Sequence, residues 1–193
     1  MQNLTKEIQS LLESKETQYF LKVAREFIEL IENREIKEKE FYPEIHKKLT
    51  ELYNAGISLK SVELIHSSEK TEFETVTREK LKEQNVNLIS SLEKDCFYWE
   101  VFDPTYTESD GKPGKGWMIT DKEPSQGWLV DDVADIYADL KEELYKIDQI
   151  GTDESIEDGL WQLKFGFTSH WGNHCVNAIR ALHYIYYDGK TTT

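Results

Sequence analysis

The chain has only two cysteines, Cys96 and Cys175, among 193 residues. Two lone thiols can build neither a disulfide framework nor a cysteine-type zinc site, so both are expected buried and reduced. Positive charge is also short. Lys and Arg number 23 against 37 Asp and Glu, a net charge of −14. Nucleic acid and anionic membranes demand a basic footprint, so both are disfavoured as partners; a basic protein partner is permitted. No apolar run approaches the ~18 residues of a membrane span, and the opening MQNLTKEIQS has no basic-then-apolar export pattern. The expectation is a cytoplasmic protein. There is no Gly-rich phosphate loop and no Ser-His-Asp order. With 38% hydrophobic and 12% aromatic residues the chain can still bury a core, and its length fits a single helical domain over 1–193.

Apolar spacing predicts an all-α fold, an irregular antiparallel bundle of four to five main helices. Residues 1–15 are read as a short polar helix or a frayed end, and 188–193 as frayed. Tyr19, Phe20, Val23, Phe27, Ile28, Leu30 and Ile31 mark a first strong helix over 17–33. Ile36, Phe41, Ile45, Leu49 and Leu52 mark a second, with Asn54-Ala55-Gly56 as its stop. A short gap between them predicts an antiparallel pair. After a polar connector over 57–75, a sparser third helix is expected over 77–92. The aromatic run CFYWEVFDP then ends at Pro104. Residues 103–127, with Gly111, Gly114, Gly116, Gly127, Pro113 and Pro124, read as a long loop. Within it, 117–119 could fold back beside 98–102 as a minor hairpin. The next helix starts at Trp128 and carries the core stripe Val133, Ile136, Tyr137, Leu140, Leu144 and Ile147. Gly151-Thr152-Asp153 breaks it, and Ser155 or Asp158 is expected to cap the last helix.

The densest apolar and aromatic stretch is 161–187, which also holds three of the five histidines. It reads as one long helix. At roughly 100° per residue, Leu163, Phe167, Trp171, His174, Cys175, Ala178, Leu182 and Ile185 share a face. His170, Asn173, Asn177 and Arg180 run along one edge, and His183 lies on the other. Gly166 and Gly172 sit inside this helix at a propensity cost of about 0.5–1 kcal/mol each. Close packing against a helix or Trp99 would explain them; a kink at Gly172 is the alternative.

Two motifs in this half resemble a known family. DDVADIYADLK (131–141) and WQLKFGFTSHWGNHCVNAIRALH (161–183) are similar to the D-L-A-D-I-Y-x-D-L-K and H-W-G-x-H-x-x-x-A-x-R-A-L-H helices of a bacterial domain-of-unknown-function family of small acidic helical proteins. YWEVFDP (98–104) is similar as well. Val133 and Asn177 stand where Leu and Asp are expected, and the loop before Trp128 is longer; the Asn removes a possible carboxylate partner of Arg180. The resemblance implies an all-α fold and carries no activity.

His170 and His174, four apart, can point the same way from a helix. Asp132, Asp135 or Asp139 of a neighbouring helix could complete a divalent-metal site of a hydrolase or transferase. The Glu that zinc proteases place beside the first His is missing. The structural alternative, which the sequence favours, is a buried network: Arg180 paired with those aspartates, the imidazoles bonded to the same carboxylates, and Trp171, Asn177 and His183 around them. Cys175, beside His174, points about 100° away from it and reads as a small buried apolar group rather than a nucleophile. Tyr98, Trp99, Phe102, Trp117 and Trp128 could line an interaction surface or simply anchor the loop. The leading functional expectation is a non-catalytic binding or regulatory module acting through this acidic and aromatic surface, with no cofactor. The metal enzyme is its rival, and a purely oligomeric scaffold is third.

Overall fold

The free amides of each helix's first turn must be closed by side chains, and three helix starts here carry that chemistry. The computed structural model describes residues 4–33, 38–66, 96–100 and 124–187. The expected helix over 77–92, the strand at 117–119, Phe102, Trp117, the loop up to 123 and both chain ends lie outside the described residues. Helix α1 (Lys6–Glu13) is capped by Thr5, whose own N–H donates to Asp153 at 3.1 Å, tying the N-terminal segment to the far half of the chain. Of the two readings of 1–15, the helix is the one that forms. Helix α2 (Lys15–Glu32) is capped by Ser14. Helix α3 (Glu38–Ser58) comes next. Strands β1 (Phe97–Glu100) and β2 (Ser125–Trp128) pair antiparallel, Tyr98 opposite Gly127. Helix α4 (Leu129–Tyr145) runs into a π turn (Lys146–Ile150) that Gly151 ends at φ 66°. Helices α5 (Asp153–Ser169) and α6 (Trp171–Tyr187) complete the order. The fold is all-α, with six α-helices and one small sheet among the described residues. No helix among them is long and apolar enough to cross a membrane.

Four local expectations are corrected. Helix α3 does not stop at 54–56; it continues to Ser58. Gly56 serves contact instead, since a Cβ there would lie 2.5 Å from the Phe167 ring and 2.7 Å from that of Trp171. The last carbonyls of α3 are satisfied from outside, by Lys164 Nζ donating to the Gly56 oxygen at 3.0 Å. Residues 125–127, read as loop, and Trp128, read as the start of the next helix, form a strand paired with β1. The cap of α5 is Thr152, in a reciprocal box with Ser155; Asp158 is instead buried in an ion pair. Finally, 161–187 is not one helix. It breaks at His170, whose φ and ψ of −144° and −90° leave the helical region.

The core forms where four apolar stripes meet. The predicted stripe of α4 is buried in full, from Val133 to Ile147. It packs against α6 and α2, while α3 packs against α2 and α6. Phe20 and Trp171 meet at its centre, ring centroids 5.8 Å apart. Cys175 is fully buried there, and burial pushes its thiol far up, so it is an apolar core group as expected. Charged links close the rim: Arg25 grips Asp148 with two hydrogen bonds of 2.6 and 3.0 Å, and Tyr137 and Lys141 both donate to Glu32 at 2.7 Å.

The α5–α6 break is set by contact. A Cβ on Gly172 would lie 2.0 Å from the Phe167 carbonyl oxygen, a backbone atom that cannot swing aside. Gly172→Ala is therefore expected to lower unfolding stability by at least about 2 kcal/mol, against the usual gain for Gly→Ala in a helix. Urea denaturation of the two proteins measures it; an unchanged or raised midpoint would show that the break tolerates a side chain.

Candidate metal centre

Helices α4 and α6 meet through acids and imidazoles, and the pairing fixes their direction. Asp132 meets His174, while Asp139, two turns later on α4, meets His170, one turn earlier on α6's side. The two helices thus run antiparallel at this contact. The Nδ1 of His174 lies 2.7 Å from Asp132 Oδ1, and the Nδ1 of His170 lies 2.7 Å from Asp139 Oδ2. An ionised carboxylate can only accept, so each Nδ1 carries the proton and donates. That leaves each Nε2 as the free ring nitrogen. His174 Nε2 sits 3.5 Å from Asp135 Oδ2, and the two imidazole rings are 4.8 Å apart, edge to face. One ligand atom from each of Asp135, His170 and His174 falls within 4.8 Å of the others.

The helix break does not undo the four-residue spacing of the histidines. His170 closes α5 through its N–H to the Gly166 carbonyl at 2.8 Å, and its own carbonyl accepts from the N–H of Asn173 and of His174, opening α6. Gly166 lets this corner close: a Cβ there would lie 2.7 Å from Trp171 Cδ1 and 3.8 Å from Asp139 Oδ2. The glycine thus packs against Trp171, not Trp99.

Asp132 is the buried member, 4% exposed. It accepts from His174 and, through its other oxygen, from the Tyr98 hydroxyl at 2.5 Å. Burial and the Asp132 charge push the Tyr98 phenol far up, so it stays a neutral donor. The hydrogen bond that His174 donates to Asp132, aided by the charges of Asp135 and Asp131, raises the imidazole above its ordinary value despite burial. Burial also raises Asp135, helped by Asp131 and Asp139 and opposed chiefly by His174. Glu100 is raised by burial and by Asp132.

The expected network partners are only partly here. Asn177 joins, donating at 2.7 Å to Glu100 Oε2 on β1, a partner that helical spacing does not name. Arg180 does not: it is exposed and pairs with none of Asp132, Asp135 or Asp139, because six residues beyond His174 on α6 it points about 120° away from that imidazole. His183 faces α3, with its ring 6.5 Å from that of His46 and 5.3 Å from that of Tyr187. Trp171 is core, its indole donating to the Leu163 carbonyl at 3.0 Å. Of the aromatic set, Tyr98 reaches the site, Trp128 stacks on Phe97, and Trp99 is 69% exposed.

These shifts give the pH dependence a definite sign. His174 has a folded value above its ordinary 6.5. Its stabilisation is complete below that value and is lost as pH rises through the folded one. Asp135 and Glu100, also raised, act in the same direction at lower pH. Stability is expected to fall from pH 6 to pH 9 in metal-free buffer, with the buried Glu143, raised to about 8, adding to the fall, and His174→Gln to reduce its slope. Urea midpoints across this range test it; a variant with the wild-type slope would remove His174 as the cause.

The family model described as "Domain of unknown function (DUF5063)" matches residues 12–188. The crystal structure of protein BF1032 from Bacteroides fragilis superimposes with a TM-score of 0.67 at 26% identity, covering 94% of this chain and 98% of that one. No curated protein matches the chain. With nearly its whole length matched, the chain belongs to this family of unknown function.

Proposed function

We propose that the protein binds a divalent transition metal through Asp135, His170 and His174, and that this ion supports a hydrolytic or group-transfer reaction. One observation carries the reading: both imidazoles are oriented by an aspartate on Nδ1, His174 sets its Nε2 3.5 Å from Asp135, and one ring nitrogen of His170 falls within 4.8 Å of both. This is the carboxylate–histidine–metal arrangement, in which the outer acid fixes the ring and raises its basicity. Two tetrahedral zinc ligands at about 2.1 Å lie roughly 3.4 Å apart, close to the 3.5 Å between His174 Nε2 and Asp135 Oδ2. Three protein ligands leave a coordination position open, the pattern of catalytic rather than structural sites, where the bound ion lowers the pKa of water.

Charge supports the same reading. Asp131, Asp132, Asp135, Asp139 and Glu100 gather around two imidazoles, and Asp132, Asp135, Asp139 and Glu100 make no Lys or Arg ion pair among the described residues. A second reading keeps the non-catalytic docking module, on the exposure of Phe97 (49%) and Trp99 (69%) beside this acidic group; a basic cytoplasmic protein is the partner it would take. Chelation separates the two, since docking through the strand needs no ion.

Calorimetry of the EDTA-treated, untagged protein with zinc and manganese is the test. The expected result is one ion per chain, with affinity falling at least tenfold in Asp135→Asn, His170→Gln and His174→Gln, and about 10–100-fold in Asp132→Asn. Absence of stoichiometric binding by any divalent ion, or binding that all four variants retain, would remove the metal and leave the docking module.

A further inference from the structure

Helix α6 is at odds with the charge of the chain. The protein carries 37 acidic residues against 23 basic ones, yet among the six described helices α6 alone contains no Asp or Glu. Its inner side is core, with Trp171, Cys175, Ala178 and Leu182 buried. Its outward stripe is Val176, Arg180, Tyr184 and Tyr187, and the three uncharged members are 46%, 51% and 65% exposed. We infer that this stripe is a homodimer contact: two copies of the chain pack α6 on α6, antiparallel about a twofold axis, with each Arg180 guanidinium on the Tyr184 ring of the other copy. The inference goes beyond the metal reading and does not need it, since Asp132 holds His174 on another flank of α6, toward α4.

Charge selects a second copy as the occupant. Two chains of net charge −14 repel wherever acid meets acid. Along this stripe they bring no carboxylate together. Its one cation, Arg180, is exposed and has no ion pair or hydrogen bond among the described residues, so it can enter a new contact without leaving an old one.

Spacing makes the stripe complementary to itself. Arg180 and Tyr184 are four residues apart, one turn along the same side of the helix. In a parallel pair, guanidinium would meet guanidinium. In an antiparallel pair with the axis midway between the two residues, each guanidinium meets a phenol ring, and symmetry makes the contact twice. The same register brings Val176 of one copy beside Tyr187 of the other. Tyr187 is already held by other rings, with centroids 5.3 Å from His183, 5.9 Å from His46 and 4.9 Å from Tyr186, so ordering it costs little on association. Helix α6 has 17 residues, a length of about 25 Å. One helix face of that length buries less than the roughly 800 Å² per partner of a standard interface, so the dimer is reversible rather than obligate.

Sedimentation velocity of the full-length protein in EDTA tests this, and a monomer–dimer equilibrium with a Kd of about 10–100 μM is expected. Arg180→Ala and Tyr184→Ala should each weaken it about tenfold, because either change removes both symmetric contacts. Both positions are exposed, and circular dichroism checks that the variants fold. The double variant Arg180→Tyr with Tyr184→Arg should return to within about threefold of the wild type, since exchanging the two residues preserves the antiparallel pairing. Trp99→Ala, on the strand face, should leave the dimer unaltered. A chain that is monomeric at millimolar concentration, a dimer that both single variants retain, a double variant no better than the single ones, or loss of the dimer in Trp99→Ala would overturn the inference.

Discussion

Asp132 is the constraint on which the site depends. A carboxylate 4% exposed must have its oxygens answered, and two elements answer them: the Tyr98 hydroxyl from β1 and the His174 Nδ1 from α6. One buried acid on α4 thereby sets the register of both a strand and a helix against it. Removing a single partner leaves a buried charge short of a donor, which is far more costly than the net gain of the bonds themselves. The network is consequently all-or-none. It holds His174 in one tautomer and one orientation, and it brings Glu100 near enough to accept from Asn177.

Position alone would not have brought His170 to Asp139. The chain leaves the helix for one residue at His170 and re-enters it, and two glycines make the corner possible. Gly166 admits the Trp171 ring, and Gly172 admits the Phe167 carbonyl. Trp171 then seals the corner from below, its ring against Phe20 and Phe167 and its N–H on the Leu163 carbonyl. Each glycine gives up helix propensity, and the return is close backbone approach. Without it, the half-exposed imidazole of His170 would have no fixed relation to α4.

How much of this the sequence carried differs from residue to residue. The apolar stripes of α2 and α4 were legible, because burial on one helical face leaves a 3.6-residue period and nothing in the fold contradicts it. The meeting of His170 and His174 with Asp132, Asp135 and Asp139 was legible as well, since acids and imidazoles on two amphipathic edges need each other when buried. The break at His170 was not. Gly166 and Gly172 signalled a close approach or a kink, but which one depends on what stands opposite, and that is tertiary. Arg180 was misplaced by rotation along α6 itself: six residues at about 100° each carry it some 120° round the helix from His174, too far to share the same carboxylates. Gly56 carries the signature of a stop, and only the rings of Phe167 and Trp171 reveal its use. The buried Lys146 escaped notice because it sits in a π turn, where helical periodicity no longer predicts facing. Its signal was modest, a lysine where the stripe from Leu144 to Ile147 calls for burial.

Charge couples the two ends of α4. At the N-terminal end, several carboxylates surround imidazoles that can each take one proton; at the C-terminal end, two carboxylates share one buried ammonium. Each end holds more negative charge than its fixed cations neutralise. Protons satisfy this at low pH, through His174 and through the raised carboxyls of Asp135 and Glu143. As pH rises those protons leave and the remaining like charges repel, which lowers the stability of both ends of α4 together. Asp139, bonded to His170, stands between the two ends.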